Sequence, residues 1–205
     1  MEDRSQRFGP VAGILFAVLF YLGVVLTGTP PEAKAPGDEV LSFYADATKF
    51  HISTVLLLIM TVLFLFFAGA LFTRLKRAET GALPSAAFGG AVVHAVGLAI
   101  FGVTDLALIN ASDIGDPVVA RTLNILGRFS FVPAIVGLAT LVLATGWQSV
   151  SNRAFPAWLG WVSVVLGLLA LAGPFGLVAF ILFPLWVIVV AVVMLRRGQA
   201  NAAAV

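Results

Sequence analysis

The chain has 205 residues, of which 60% are hydrophobic and only 11% charged, and its mean hydropathy is +1.06. A water-soluble domain of this size carries roughly a quarter charged residues and could not hide so much apolar surface, so lipid is the expected solvent. The net charge of +2 comes from short basic clusters at the ends of apolar runs, not from one continuous face, which excludes a nucleic-acid reading, and the absence of cysteine excludes disulfides, thiolate catalysis and cysteine metal sites.

Six apolar segments follow one another at 9–28, 52–73, 86–109, 129–147, 156–172 and 175–195, most of them near the roughly 20 residues that a helix needs to cross about 30 Å of hydrocarbon. The first follows Arg4 and Arg7 as a signal peptide would, but ends at Thr27-Gly28-Thr29-Pro30 without a small-residue cleavage pattern, so a retained helix is expected. Between the first two runs, Pro36-Gly37 followed by Asp38 and Glu39 suits a helix start, and Val40, Leu41, Tyr44, Ala47 and His51 recur at helical spacing. Asp116-Pro117 is a second start signal, with Asp as N-cap and Pro in the first turn. Short interfacial helices are expected at both places. The last two runs are nearly continuous, and as one helix they would reach about 63 Å, so Gly173-Pro174 is expected to break them into a hairpin. The terminal segment from Gly198 is small-residue-rich and expected to fray.

Orientation follows from Lys and Arg. With the N-terminus inside, Arg4, Arg7, Arg74, Lys76, Arg77, Arg153, Arg196 and Arg197 are cytoplasmic, against Lys34, Lys49, Arg121 and Arg128 outside. Both termini are then cytoplasmic. Trp147, Trp158 and Trp161 fall near the same inner interface, whereas Trp186 lies within the sixth run and is expected inside the bundle. The expected fold is an all-α polytopic transmembrane bundle of about six helices forming one domain.

The runs Gly37-Asp38-Glu39-Val40 through Tyr44-Ala45-Asp46, Leu71-Phe72-Thr73-Arg74-Leu75-Lys76-Arg77-Ala78-Glu79 and Phe88-Gly89-Gly90, with the later Pro156-Ala157-Trp158-Leu159-Gly160-Trp161 and Leu185-Trp186 to Arg196-Arg197, resemble a group of uncharacterised multi-pass membrane proteins of high-GC Gram-positive bacteria. These are helix-end and packing motifs of low chemical specificity. The resemblance implies a compact six-helix bundle in a bacterial plasma membrane and transfers no catalytic residue.

Ionisable residues inside a membrane are the natural candidates for chemistry, because a charge at the bilayer centre costs about 2.5–3.5 kcal/mol. His94 and Asp105 qualify, both on the third run. Eleven residues place them on nearly one helix face but about 16 Å apart, too far to touch. Gly90 and Gly97 flank His94 at i−4 and i+3, which predicts close approach of another helix on that face. A neutral imidazole bonded to a neighbouring helix, near Thr61 or Thr140, competes there with a proton relay or ligand contact. Asp105 lies about one turn below the outer end of its helix. Lys49, His51, Asn110 and Arg128 are expected at a similar level, with Tyr44 and Asp46 above. Asp105 either pairs with Arg128 or His51 to fix packing, or forms with them a polar outer pocket that binds something.

Other candidate features are structural. Gly9 and Gly13, and the stripe Gly160, Ser163, Gly167 and Ala170, suit either packing within the chain or contact with a second copy or membrane partner. Pro133 and Pro184 suit kinks. No HExxH, GxSxG, P-loop or metal-ligand cluster is present, and His51 and His94 differ in depth, so no cofactor, metal or catalytic set is expected. Three functions follow in order: binding or transport of a small or lipid-like ligand through the outer pocket, a structural or accessory subunit of a membrane complex, and, a distant third, an embedded enzyme using Asp105 and His51. Few polar groups occur in the inner half, so a lipid-like ligand fits better than a hydrophilic one.

Overall fold

The structure, a computed structural model, describes residues 2–78 and 81–202. Eight α-helices occur among them: α1 (Glu2–Thr27), α2 (Gly37–Tyr44), α3 (Ala47–Ala78), α4 (Leu83–Ile114), α5 (Pro117–Phe129), α6 (Phe131–Asn152), α7 (Ala157–Leu171) and α8 (Gly176–Ala202), with one 3-10 turn at Gly173–Phe175. The described residues contain no strand.

Among the described residues, five helical stretches are long and apolar enough to cross a membrane: Arg7–Thr27, Ala47–Ala78, Leu83–Ile114, the joined Pro117–Asn152, and Gly176–Arg196. Their outward faces are apolar; on α3 alone Val55, Leu58, Ile59, Val62 and Phe66 are exposed. That surface is unfavourable in water at roughly 25 cal/mol per Å² and costs nothing in hydrocarbon. The chain is a multi-pass helical membrane protein.

The count of six long spans is corrected at α7. This helix has 15 residues, about 22 Å of rise, which is short of the hydrocarbon thickness. It nevertheless joins opposite ends of the bundle. Phe155, just before it, lies 5.2 Å from the Arg74 guanidinium at the end of α3, while Gly173, just after it, lines the same cavity as Gly28 at the end of α1. Gly173 has φ +60, a left-handed conformation that glycine adopts without strain, and the hairpin break lies where the sequence places it.

Local signals explain the other joints. Asp116 Oδ1 accepts the Val118 and Val119 N–H groups at 2.9 and 3.2 Å, capping α5 as expected. Gly115, at φ +75, ends α4 with its N–H on the Ala111 carbonyl at 3.0 Å. The helical periodicity from Val40 to His51 is interrupted instead of continuous: α2 stops at Tyr44, and Asp46 Oδ1 accepts the Lys49 N–H at 3.2 Å as α3 begins. Pro133 lies in the first turn of α6 and Pro184 inside α8. Helix α8 continues through Ala202; of the expected frayed tail, 203–205 lie outside the described residues.

Small residues bring the helices together. A Cβ on Gly90 would sit 2.6 Å from the Leu141 nitrogen, and one on Gly137 2.7 Å from the His94 Cα, so α4 and α6 meet backbone to backbone on the face the sequence predicts. Gly9 and Gly13 pack on α3, and Gly160 and Gly167 on α6. Trp186 is buried, its Nε1–H donating to Ser163 Oγ at 2.7 Å, whereas Trp147, Trp158 and Trp161 are exposed.

Two apolar clusters result. The larger runs through the bundle around Phe16, Phe64, Phe67, Leu138 and Phe183. The smaller joins Val40 and Tyr44 of α2, Phe50 of α3, Leu108 of α4 and Ala120 of α5, forming a cap over one end.

Candidate functional site

At the seam between bundle and cap lies a cavity of about 540 Å³. Helices α1, α3, α4, α6 and α8 supply its deeper walls, and α2 and α5 close its capped end. Phe20, Leu57, Met60, Leu98 and Phe180 make the deeper lining apolar. Tyr44, Asp105, Asn124 and Arg128 belong to the capped end, Asp105 standing about 10 Å along α4 from Leu98.

Three of the seven residues expected at a pocket line this cavity: Tyr44, Asp105 and Arg128. The Tyr44 hydroxyl donates to Asp105 Oδ1 at 3.4 Å. Burial, reinforced by the Asp105 carboxylate, pushes the Tyr44 phenol above its usual range, with Arg128 pulling the other way. The phenol therefore keeps its proton and serves as donor.

Asp105 forms no ion pair with Arg128 or His51 within 4.0 Å. Arg128 instead reaches the segment after α1, where its Nη2 donates to the Pro30 carbonyl at 3.0 Å and to that of Pro31. One helical turn earlier, Asn124 Nδ2 donates to the Glu32 carbonyl at 2.9 Å. Asn124 and Arg128 thus clamp the α1–α2 connection across the cap. Asn124 is missing from the residues picked out by sequence, although its i, i+4 relation to Arg128 on a helix with a clear start signal places the two on one face.

The other expected residues stand elsewhere. His51 is exposed, its Nδ1 2.7 Å from the Ala47 carbonyl of its own helix. Asn110 is exposed and donates to Leu106 at 2.8 Å. Lys49 rests its ammonium 5.5 Å from the Phe43 ring centre and 5.1 Å from that of Phe50, outside the cavity lining. His94 is 1% exposed, and its Nδ1 lies 2.7 Å from the Ala134 carbonyl. A carbonyl only accepts, so this nitrogen carries the proton. Phe64 and Phe183 flank the ring at 5.2 and 4.9 Å between centres. Ala134 itself lines the cavity, so His94 fastens the wall from behind.

Several hydroxyls around the cavity are spent on their own helices. Thr27 donates to Gly23, Ser53 to Lys49 and Thr104 to Ile100, at 2.9 to 3.0 Å. Their lone pairs remain, but their protons are used. Chemically the site is an apolar chamber with a carboxylate–phenol pair and one guanidinium at its capped end. The chain matches no protein-family model, no curated protein and no solved structure.

Proposed function

We propose that this protein binds an amphiphile, a molecule with an apolar body and a polar head, within the cavity between bundle and cap. The carrying observation is the cavity of about 540 Å³, apolar in its depth and polar at one end. Ligand pockets commonly have this size and this balance of apolar lining with a few placed polar groups. Below it the bundle is filled by Phe16, Phe64, Phe67 and Phe183, all buried, which favours holding a ligand over passing one through.

The basic residues put the capped end outside. Arg74, Lys76, Arg77 and Arg153 cluster at the opposite end, which the positive-inside rule assigns to the cytoplasm. Together with the likeness of the helix-end motifs to multi-pass proteins of high-GC Gram-positive bacteria, this supports a plasma-membrane protein that takes its ligand from the outer leaflet.

Photolabelling tests the reading. The protein in lipid nanodiscs is irradiated with a monoacylglycerol carrying a diazirine in its chain, and the labelled residues are mapped. Met60 and Leu98 are 5% and 3% exposed and line the cavity. Label on them is expected, together with its several-fold loss in Leu57→Trp, which adds an indole ring to the α3 wall of the cavity. Label confined to lipid-facing side chains and indifferent to that substitution would overturn the proposal.

A further inference from the structure

The Asp105 carboxylate lines the cavity without a cationic partner, although Arg128, Lys49 and His51 belong to the same end of the protein. Each of these is engaged elsewhere: Arg128 with the Pro30 and Pro31 carbonyls, Lys49 over the Phe43 and Phe50 rings, and His51 with the Ala47 carbonyl. What Asp105 receives is one phenol hydrogen bond at 3.4 Å, at the long end of the range for such bonds. A carboxylate in apolar surroundings calls for a counter-ion.

Resting on the reading of the cavity as an amphiphile site, we propose that its ligand is a lipophilic cation, an amine or other onium group on an apolar body, with Asp105 as counter-ion. The walls suit such a body. Phe20, Phe43, Phe50, Phe101, Phe131 and Phe180 all line the cavity, and aromatic faces attract cations, more strongly where water is excluded. Two of these rings already carry the Lys49 ammonium. An anionic head is served poorly. The protons of Thr27, Ser53 and Thr104 are spent on their own helices, two of the five Arg128 N–H groups are bonded to carbonyls, and an anion drawn to the other three would meet the Asp105 charge. An onium head needs no donors.

Tetraphenylphosphonium and tetraphenylborate have nearly the same shape and opposite charge, so the pair isolates the sign. Each is titrated separately by calorimetry into the intact protein in a non-ionic detergent, with detergent blanks. The phosphonium is expected to bind at least roughly tenfold more tightly than the borate, and Asp105→Asn, which keeps an acceptor for Tyr44, is expected to remove that preference. Equal or tighter borate binding, an unchanged preference in Asp105→Asn, or binding of neither ion would overturn the proposal. If Asp105→Asn fails to fold, the two ions on the unaltered protein decide. The monoacylglycerol label on Met60 and Leu98 carries no charge, so its persistence alongside a failed ion preference would discard the cation and retain the cavity, whereas loss of both would discard both.

Discussion

His94 Nδ1 and the Ala134 carbonyl stand 2.7 Å apart across the α4–α6 interface. Forty residues separate them along the chain, and the bond joins the two helices where Gly97 and Gly137 let their backbones approach closely. The imidazole is enclosed by Phe64, Phe180 and Phe183, so no water replaces the bond if it is lost. His94→Ala removes both donor and ring, leaving a void and reducing the Ala134 carbonyl to its bond within α6. Unfolding followed by intrinsic tryptophan fluorescence should show a loss of about 2–4 kcal/mol, from a lost cross-helix hydrogen bond and lost packing together. Unchanged stability would show that the bond does not hold the wall.

Glycine substitutions on two faces should differ in sign. A Cβ on Gly137 would meet the Gly90 carbonyl oxygen at 2.6 Å and the His94 Cα at 2.7 Å, whereas one on Gly69 meets nothing within 4 Å. Gly137→Ala should force α4 and α6 apart and destabilise by about 1–3 kcal/mol. Gly69→Ala should be neutral or stabilise by up to about 1 kcal/mol through lower backbone entropy in the unfolded chain. Thermal melts of the two variants side by side check the contrast, and equal losses would count against close packing at Gly137.

The Tyr44 phenol confers an alkaline limit. Its folded pKa is raised above the ordinary 10.0 by burial first and Asp105 second. The unfolded chain therefore releases this proton at a pH where the folded chain still holds it, so the stability is fully present below pH 10 and is lost as pH rises above it. Melting temperature should fall more steeply for the unaltered protein than for Tyr44→Phe between about pH 9 and pH 11. Parallel curves would show that Tyr44 is not buried against Asp105.

Arg128 should govern the α1–α2 connection. Its bonds to Pro30 and Pro31, with that of Asn124 to Glu32, fasten a segment that contains the exposed Lys34. Charged hydrogen bonds of this kind contribute about 1.5–3 kcal/mol. Arg128→Gln should therefore speed tryptic cleavage after Lys34 by about tenfold or more, read as the rate of peptide release in detergent. Trypsin removes the same bond in both proteins, so an unaltered rate would mean that the clamp is not what protects the segment.

The site was only partly legible in the sequence. Asp105 and Tyr44 were identifiable as candidates because a carboxylate inside an apolar run and a tyrosine in a short amphipathic helix are both locally unusual. Their pairing was not identifiable. The sequence offers Asp105 either a bond to Arg128 or His51 or a shared pocket with them, on the ground of similar level, but level along a helix leaves rotation and lateral distance open. The bonds from Asn124 and Arg128 to the Pro30, Pro31 and Glu32 carbonyls are not legible for a related reason, since backbone acceptors in a connection have no side-chain signature.

By itself, the sequence determined what depends on neighbours along the chain. Apolar runs long enough for lipid, the Asp116-Pro117 start, the Gly173-Pro174 break and the glycine-lined faces of α4 and α7 are local features, and helix formation in hydrocarbon satisfies the backbone within each segment. The tertiary structure alone decided what depends on how helices are rotated and tilted against one another. It brought α2 and α5 together as a cap, left a cavity beneath it, matched the short α7 to the two ends of the bundle through its flanking turns, and placed Tyr44, instead of a cation, beside Asp105. Side-chain partners across helices are fixed by shape complementarity over the whole interface, and no single segment carries that information.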